Sequence, residues 1–388
     1  MTAAIARLRG TFPGQYSPND VLAVRLPIVL LLLLPVLAPT LLPTSKLLSL
    51  AITATIYVMV ANGLHIVFSY NGQLSLAHTT LWGLGAYAAA LLLVHYDTPT
   101  ALLIPAAGLC AALGAVLIGI PAFRTGGFSF AIITFAAAEI MRLIANNWVS
   151  LTQGSTGITI NLFAAPDSLG PIKFDTFNHL ANFYYLTLAF AYLSVAGVWA
   201  VRQSSLGKTF IAIRENEALA QSLGINVYLH KLLAFGISGF FAGVAGALFV
   251  YHQKHIEPGP ISPFGAFYSI QFLLMILIGG RSSMLGPVIG AIVVVFGPET
   301  INRIFSDVLT PSRSQILFGS TLALSVLTAP NGIAGQTRDG YNTFAAVLRH
   351  SRARGHSWPA SGLLALAYSF WPRAAQRRGI NIRPEQRP

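Results

Sequence analysis

Charged residues are scarce in this chain of 388 residues. Only 9% of its residues are Asp, Glu, Lys or Arg, whereas 54% are hydrophobic. A soluble domain has about 25% charged residues, so this composition leaves too little charge to cover a water-soluble surface. The single cysteine, Cys110, lies in an apolar run and cannot form a disulfide framework within the chain. These two shortages exclude a soluble globular fold and a disulfide-stabilised scaffold.

Long apolar runs separate the few charged segments of the chain. Several approach or exceed the roughly 20 residues that an α-helix needs to cross a bilayer. The sequence has no series of short strands with alternating polarity, which is typical of a transmembrane barrel. The pattern predicts an all-α, polytopic integral membrane protein with about ten transmembrane helices. The predicted runs are Leu26–Leu42, Leu47–Ser69, Leu74–Tyr96, Thr100–Phe123, Phe128–Ile144, Asn182–Val201, Leu232–Tyr251, Phe264–Gly280, Met284–Phe296 and Ile316–Ala329.

The net charge of +12 is distributed unevenly between these runs. If the chain starts in the cytoplasm and crosses ten times, most Lys and Arg residues fall on the cytoplasmic side, as the positive-inside rule requires. This predicts an N-in/C-in topology in a cell membrane. We expect residues 1–25 to be a cytoplasmic segment, 26–335 the transmembrane domain and 336–388 a basic cytoplasmic tail that is either disordered or an interfacial helix on anionic membrane lipid. The basic charge is explained by topology, so no nucleic acid is expected as a partner.

The longest charged interruption between apolar runs is the stretch Arg202–Lys231, which this topology places in the cytoplasm. Within it, Asn216 is suited to cap a helix N-terminus, and Gly224 to follow a helix C-terminus. The residues between them predict a helix over Glu217–Leu223, with Leu219 and Leu223 on one face. We interpret this stretch as a docking site for a soluble partner. The alternative is a solvated loop with no partner.

No catalytic constellation or metal-ligand spacing is present in the sequence. Gly207-Lys208-Thr209 resembles the end of a phosphate-binding loop, but that motif needs a glycine where Arg202 stands. The sequence therefore predicts no catalytic residue, no cofactor site and no metal site. If ATP drives the protein, another subunit holds it.

Polar side chains inside the predicted spans are costly unless they have partners or water. Glu139 is the one carboxylate well inside a span, and it either lies on a pathway or forms an i, i+3 ion pair with Arg142. His78 follows a predicted turn, where a helix N-terminus would face a substrate carboxylate, or it simply bonds between helices. The candidate translocation-pathway residues are Asn62, Gln73, Ser75, His78, Thr134 and Glu139.

Five segments of the chain, 72–87, 123–158, 213–227, 279–287 and 329–335, contain motifs that resemble those of branched-chain amino-acid ABC transporter permeases of the LivM type. Of these, the segment 213–227 is similar to the family's cytoplasmic coupling loop. Ala77 and Gln153 stand where the family tends to have glycine. The resemblance makes 26–335 a permease domain with a coupling loop at 202–231. It implies contact with an ATPase through Arg214, Glu215, Glu217, Ala218, Leu219, Ser222, Leu223 and Gly224.

The resemblance also implies partners and a substrate class. The partners would be a LivH-like permease subunit, two cytoplasmic ABC ATPase subunits and an extracytoplasmic solute-binding protein. The substrates would be leucine, isoleucine and valine. Permeases of the same architecture import urea or short-chain amides, and these stay open as an alternative. The residues alone also leave open a secondary transporter that uses Glu139 and His78, or a membrane-embedded enzyme, which the absent nucleophile and metal set disfavour.

Overall fold

The chain folds as a bundle of apolar helices in the computed structural model. The structure describes residues 34–41, 44–96, 98–125, 127–160, 168–169, 172–173, 180–259, 264–304, 319–320 and 332–333. Helices dominate because a segment without access to water must satisfy its own backbone hydrogen bonds. The helices are α1 Ala38–Leu41, α2 Ser45–His65, α3 His78–Tyr96, α4 Thr100–Ala122, α5 Phe128–Asn147, α6 Val149–Thr152, α7 Leu180–Gln203, α8 Ser205–Glu215, α9 Glu217–Ser222, α10 Val227–Gln253, α11 Ala266–Gly279 and α12 Gly286–Ile304.

Shorter elements complete the described part of the chain. Leu34–Leu37 and Gly154–Thr156 are 3-10 turns, and Ile66–Tyr70 is a π-helical continuation of α2. Strand β1 (Ile158–Thr159) pairs antiparallel with β4 (His255–Ile256), with Thr159 opposite His255. Strand β2 (Ser168–Leu169) pairs antiparallel with β3 (Ile172–Lys173). The β1–β4 pair joins the loop after α6 to the loop after α10.

Six helical segments of the described chain are long and apolar enough to cross a membrane. They are α2 with its π-helical end, α4, α5, α7, α10 and α12. Helix α3 has 19 residues, most of them buried, and α11 is shorter with 14. The all-α, polytopic fold class is confirmed. Most of the first predicted run and nearly all of the tenth lie outside the described residues, as do both termini, so the number of spans and N-in/C-in stay predictions.

The core lies around α10, which packs against α2, α3 and α4. Close approach is possible because small residues face each other along α10. A Cβ atom added to Gly243 would lie 2.5 Å from the carbonyl oxygen of Ala107, and one added to Gly85 would lie 2.4 Å from Gly243. Helix α10 therefore packs so closely against α3 and α4 that neither interface has room for a side chain at Gly243 or Gly85.

Several predicted boundaries differ from the observed ones, and two of these differences matter for the site. The third run was expected to begin at Leu74, but α3 begins only at His78, because residues 72–77 form no helix and the Leu76 N–H donates to the Thr134 hydroxyl of α5. The seventh run was expected to begin at Leu232, but α10 begins at Val227, where the Asn226 side chain caps it. Lys231 is consequently part of a helix that enters the bundle.

Candidate functional site

The predicted coupling loop consists of two short helices, and the sequence specifies both of them locally. The Ser204 hydroxyl caps α8 by accepting from the Gly207 N–H at 3.3 Å. The Asn216 side chain caps α9 by accepting from the Leu219 N–H at 2.9 Å. Gly224, with a φ of +83°, ends α9, since its N–H donates to Gln221 and that of Ile225 to Ala220. The helix predicted between Asn216 and Gly224 is therefore present, over Glu217–Ser222.

One face of the two helices is anchored on the bundle. Phe210 of α8 is fully buried in a cluster with Ile66 and Tyr70 from the end of α2. The Lys231 ammonium, with only 5% of its side chain exposed, lies 2.7 Å from the Glu217 carboxylate. This ion pair joins the start of α9 to the first turns of α10.

The opposite face of α9 is open. Leu219 is 57% exposed and Leu223 is 74% exposed, although both are large apolar side chains. They are four residues apart, so they lie one turn from each other on the same side of the helix. The remaining predicted coupling residues, Arg214, Glu215, Ala218, Ser222 and Gly224, are also exposed. A patch of apolar side chains on a short, capped helix is suited to enter a groove on another protein.

The connection from α2 to α3 runs back into the bundle. Arg214 fixes its start, because its Nη1 donates to the Ser69 carbonyl oxygen at 2.5 Å. Residues 72–77 follow without helical structure, and the Leu76 N–H donates to the Thr134 hydroxyl at 3.1 Å. Helix α3 then begins at His78, whose Nε2 lies 2.5 Å from Ser238 Oγ on α10. Ser238 is 11 positions past the start of α10, so α3 begins about 16 Å inside the bundle.

The structure brings several predicted pathway residues to this buried connection. The Asn62 amide donates to the Ser194 hydroxyl of α7 at 2.9 Å. Ser75 accepts from the Ala77 N–H at 3.3 Å, and Gln73 is half-buried beside the turn. His78 and Thr134 are fully enclosed. Gln73, Ser75, His78 and Thr134 therefore lie along one polar seam between α3, α5 and α10, whereas Asn62 lies at a separate contact between α2 and α7.

Glu139 does not join this seam. Arg142 Nε lies 3.0 Å from both oxygens of the Glu139 carboxylate, and its Nη1 donates to the Pro258 carbonyl at 3.3 Å. The ion pair considered in the sequence analysis is formed, and 43% of the Glu139 side chain is exposed. The geometry therefore gives Glu139 a partner on its own helix.

The sequence does not identify the side chains that form hydrogen bonds with the predicted site residues. Ser194, Ser238 and Ser269 are buried serines that bond to Asn62, His78 and Thr79. A lone serine in an apolar run gives no signal of its own, because its partner comes from another helix. Lys231 did have a sequence signal, because it directly precedes the apolar run Leu232–Tyr251 and lies 14 positions after the Glu217 carboxylate. Within the described residues, no group of His, Cys, Asp and Glu is arranged to hold a metal ion.

Comparison with known proteins identifies the family of the chain. The sequence profile of the family described as "branched-chain amino acid transport system / permease component" matches residues 46–326. The LivM permease of the high-affinity branched-chain amino acid transport system of Escherichia coli (strain K12) is 29% identical over 306 residues, covering 74% of this chain and 70% of LivM.

More distant permeases align over a similar share of the chain. LivH of Salmonella typhimurium, from the same type of transport system, is 26% identical over 299 residues, covering 72% of this chain and 91% of LivH. The ribose import permease RbsC of Haemophilus influenzae is 23% identical over 286 residues, covering 71% and 83%. No solved structure matches the chain.

The family match spans most of the described helices, including the loop with α8 and α9 and the seam around His78. The resemblance to LivM-type permeases is confirmed, with LivM aligned over nearly three quarters of the chain. Six apolar helices of spanning length agree with that assignment. The chain belongs to the family of permease components of branched-chain amino acid transport systems, and it is a multi-pass protein of the cell membrane.

Proposed function

We propose that the chain is one permease subunit of an ATP-binding-cassette importer that moves leucine, isoleucine and valine into the cell. The chain itself catalyses no reaction in this proposal, and separate subunits hydrolyse ATP. The substrate class is supported by the family and by the names of its relatives LivM and LivH. The permease domain comprises residues 26–335, with the basic tail 336–388 on the cytoplasmic lipid surface.

One observation carries the coupling part of this proposal. The loop at 202–231 has an exposed apolar face, with Leu219 and Leu223, and an anchored face, with Phe210 and the Glu217–Lys231 pair. Exposure of two leucine side chains to water is unfavourable, and a partner protein that covers them would remove this cost. A subunit that binds the exposed face would move α8, α9 and the start of α10 together.

The partners follow from the family. We infer a heterodimeric pore with a LivH-like permease, two cytoplasmic ATPase subunits on the coupling loops and a solute-binding protein on the outer side. Movement of the ATPases would shift the coupling loop and alternate the access of a pathway lined by Asn62, Gln73, Ser75, His78 and Thr134. A half-helix N-terminus inside the membrane suits the carboxylate of an amino acid.

The test is ATP-driven uptake by the complete complex in proteoliposomes. Leu223→Asp should lower leucine uptake about tenfold, as expected for the loss of one interface anchor worth about 1.4 kcal/mol. The matched control is Gln221→Asp, which adds the same charge at an exposed position of the same helix. Equal uptake by both variants would contradict docking through Leu223.

Two further measurements separate the alternatives. A panel of labelled leucine, isoleucine, valine, urea and acetamide distinguishes amino acids from urea and short-chain amides. Uptake that persists without ATP and follows an ion gradient would instead favour a secondary transporter that uses Glu139 and His78. The described geometry gives both residues protein partners, Arg142 and Ser238.

A further inference from the structure

The end of α2 contains polar side chains that are buried without partners. Both ring nitrogens of His65, the hydroxyl of Ser69 and both amide atoms of Asn71 make no hydrogen bond to any described group. All three residues are buried. Protein interiors leave few polar side chains unsatisfied, so a group of them calls for a functional explanation. This group lies within seven consecutive residues, so the whole segment is a candidate functional element.

The backbone of the same segment departs from the α-helix. The Asn71 N–H donates to the Ile66 carbonyl at 3.1 Å, and the Gln73 N–H donates to the Val67 carbonyl at 3.0 Å. These bonds span five and six residues, in place of the usual four. Single π-turns inside helices are frequent at functional sites, and irregular backbone within a membrane is tolerated where protein covers it or it faces an aqueous path.

The coupling loop holds this segment directly. Arg214, the next-to-last residue of α8, donates to the Ser69 carbonyl oxygen at 2.5 Å. Gly72, with a φ of +72°, packs on the same side chain, and a Cβ there would lie 2.7 Å from Arg214 Cγ. Phe210, one turn earlier, packs with Ile66 and Tyr70. A movement of α8 therefore acts on residues 66–72 before it reaches any other part of the α2–α3 connection.

We propose that residues 65–72 form the gate at the coupling-loop end of the translocation pathway, and that Arg214 is the positioning residue that keeps this gate closed. When the coupling loop moves, Arg214 releases the Ser69 carbonyl, and His65, Ser69 and Asn71 become the polar wall of the opened exit. This inference rests on the function proposed above. Arg214 then has two roles: it holds the gate through the Ser69 carbonyl, and it makes the ATPase contact predicted from the sequence.

The test is the accessibility of single cysteines to a hydrophilic maleimide. Cys110→Ser first removes the native thiol, and Ser69→Cys or Asn71→Cys then reports on the gate in membrane vesicles that contain the assembled complex. Ser69→Cys leaves the bond to Arg214 intact, because Arg214 binds the backbone carbonyl. Adding Arg214→Ala should speed labelling of both cysteines about tenfold, which is within the usual range of coupling between two sites.

Two controls separate gate opening from general loosening. Lys208→Ala removes an exposed charge from the same helix and should leave the labelling rates unchanged. Thr55→Cys, buried elsewhere on α2, should stay slow with or without Arg214. Labelling that is the same in the presence and absence of Arg214, or that rises equally at Thr55→Cys, overturns the proposal. No nucleotide is needed for this comparison, so it decides the gate even if ATP-driven amino acid uptake is not found.

Discussion

The two charged side chains of α5, Glu139 and Arg142, form an ion pair with each other. The guanidinium of Arg142 meets both carboxylate oxygens of Glu139 and also the Pro258 carbonyl after α10. This arrangement neutralises the carboxylate and ties α5 to a neighbouring loop. Because Glu139 already has this structural role, we do not expect it to take part in transport.

For this reason we expect Glu139→Gln to be tolerated. The pair is partly exposed, and such pairs contribute roughly 0.2–1 kcal/mol, so uptake should stay within about fivefold of the unsubstituted complex. The measurement is the initial rate of leucine uptake divided by the amount of permease in the membrane. A loss much greater than this, at normal protein levels, would return Glu139 to the pathway.

At the scale of elements, the connection between α9 and α10 decides whether the coupling loop can transmit force. The Lys231 ammonium is almost completely buried, and its described partner is the Glu217 carboxylate at 2.7 Å. A buried ammonium that loses its partner is strongly destabilising. The pair therefore links α9, the docking helix of the proposed coupling loop, to α10, the central helix of the bundle.

A charge exchange tests this link. Glu217→Lys alone should cost about 1–3 kcal/mol, below the value for a fully buried pair because Glu217 is half exposed, and uptake should fall. The double variant Glu217→Lys with Lys231→Glu should recover much of both, as seen in thermal unfolding in detergent and in leucine uptake. Lys208→Glu is the control for a charge change on the same loop. A double variant no better than Glu217→Lys would show that the pair does not act as a unit.

The sequence predicted these elements to different degrees. The bounds of α9 follow from Asn216 and Gly224, because capping depends on residues adjacent in the chain. The late start of α3 at His78 does not, because apolar composition indicates membrane burial but not whether the backbone is helical. Residues 72–77 form no helix, and Thr134 and Ser269, from other helices, bond to the backbone of Leu76. Local signals specify the docking helix, and tertiary contacts specify the seam.

At the scale of the whole molecule, α10 determines which surfaces lie on opposite sides of the membrane. Its 27 residues span about 40 Å, more than the roughly 30 Å of a hydrocarbon core. The coupling loop lies at its first residue. The β1–β4 pair lies just beyond its last, where the Thr159 hydroxyl and His255 Nδ1 are 2.9 Å apart. We therefore expect the docking helix and this strand pair to lie on opposite sides of the bilayer.

This geometry predicts the outcome of a sidedness experiment in the Cys110→Ser background. Gln221→Cys on α9 and Ser155→Cys beside β1 are both exposed positions. A membrane-impermeant maleimide added to intact cells, or to spheroplasts where an outer membrane blocks access, should label Ser155→Cys and leave Gln221→Cys unlabelled. Inside-out vesicles should give the reverse, and detergent should make both react. Labelling of both cysteines from the outer side would place the coupling loop away from the cytoplasm, where no ATPase could reach Leu219 and Leu223.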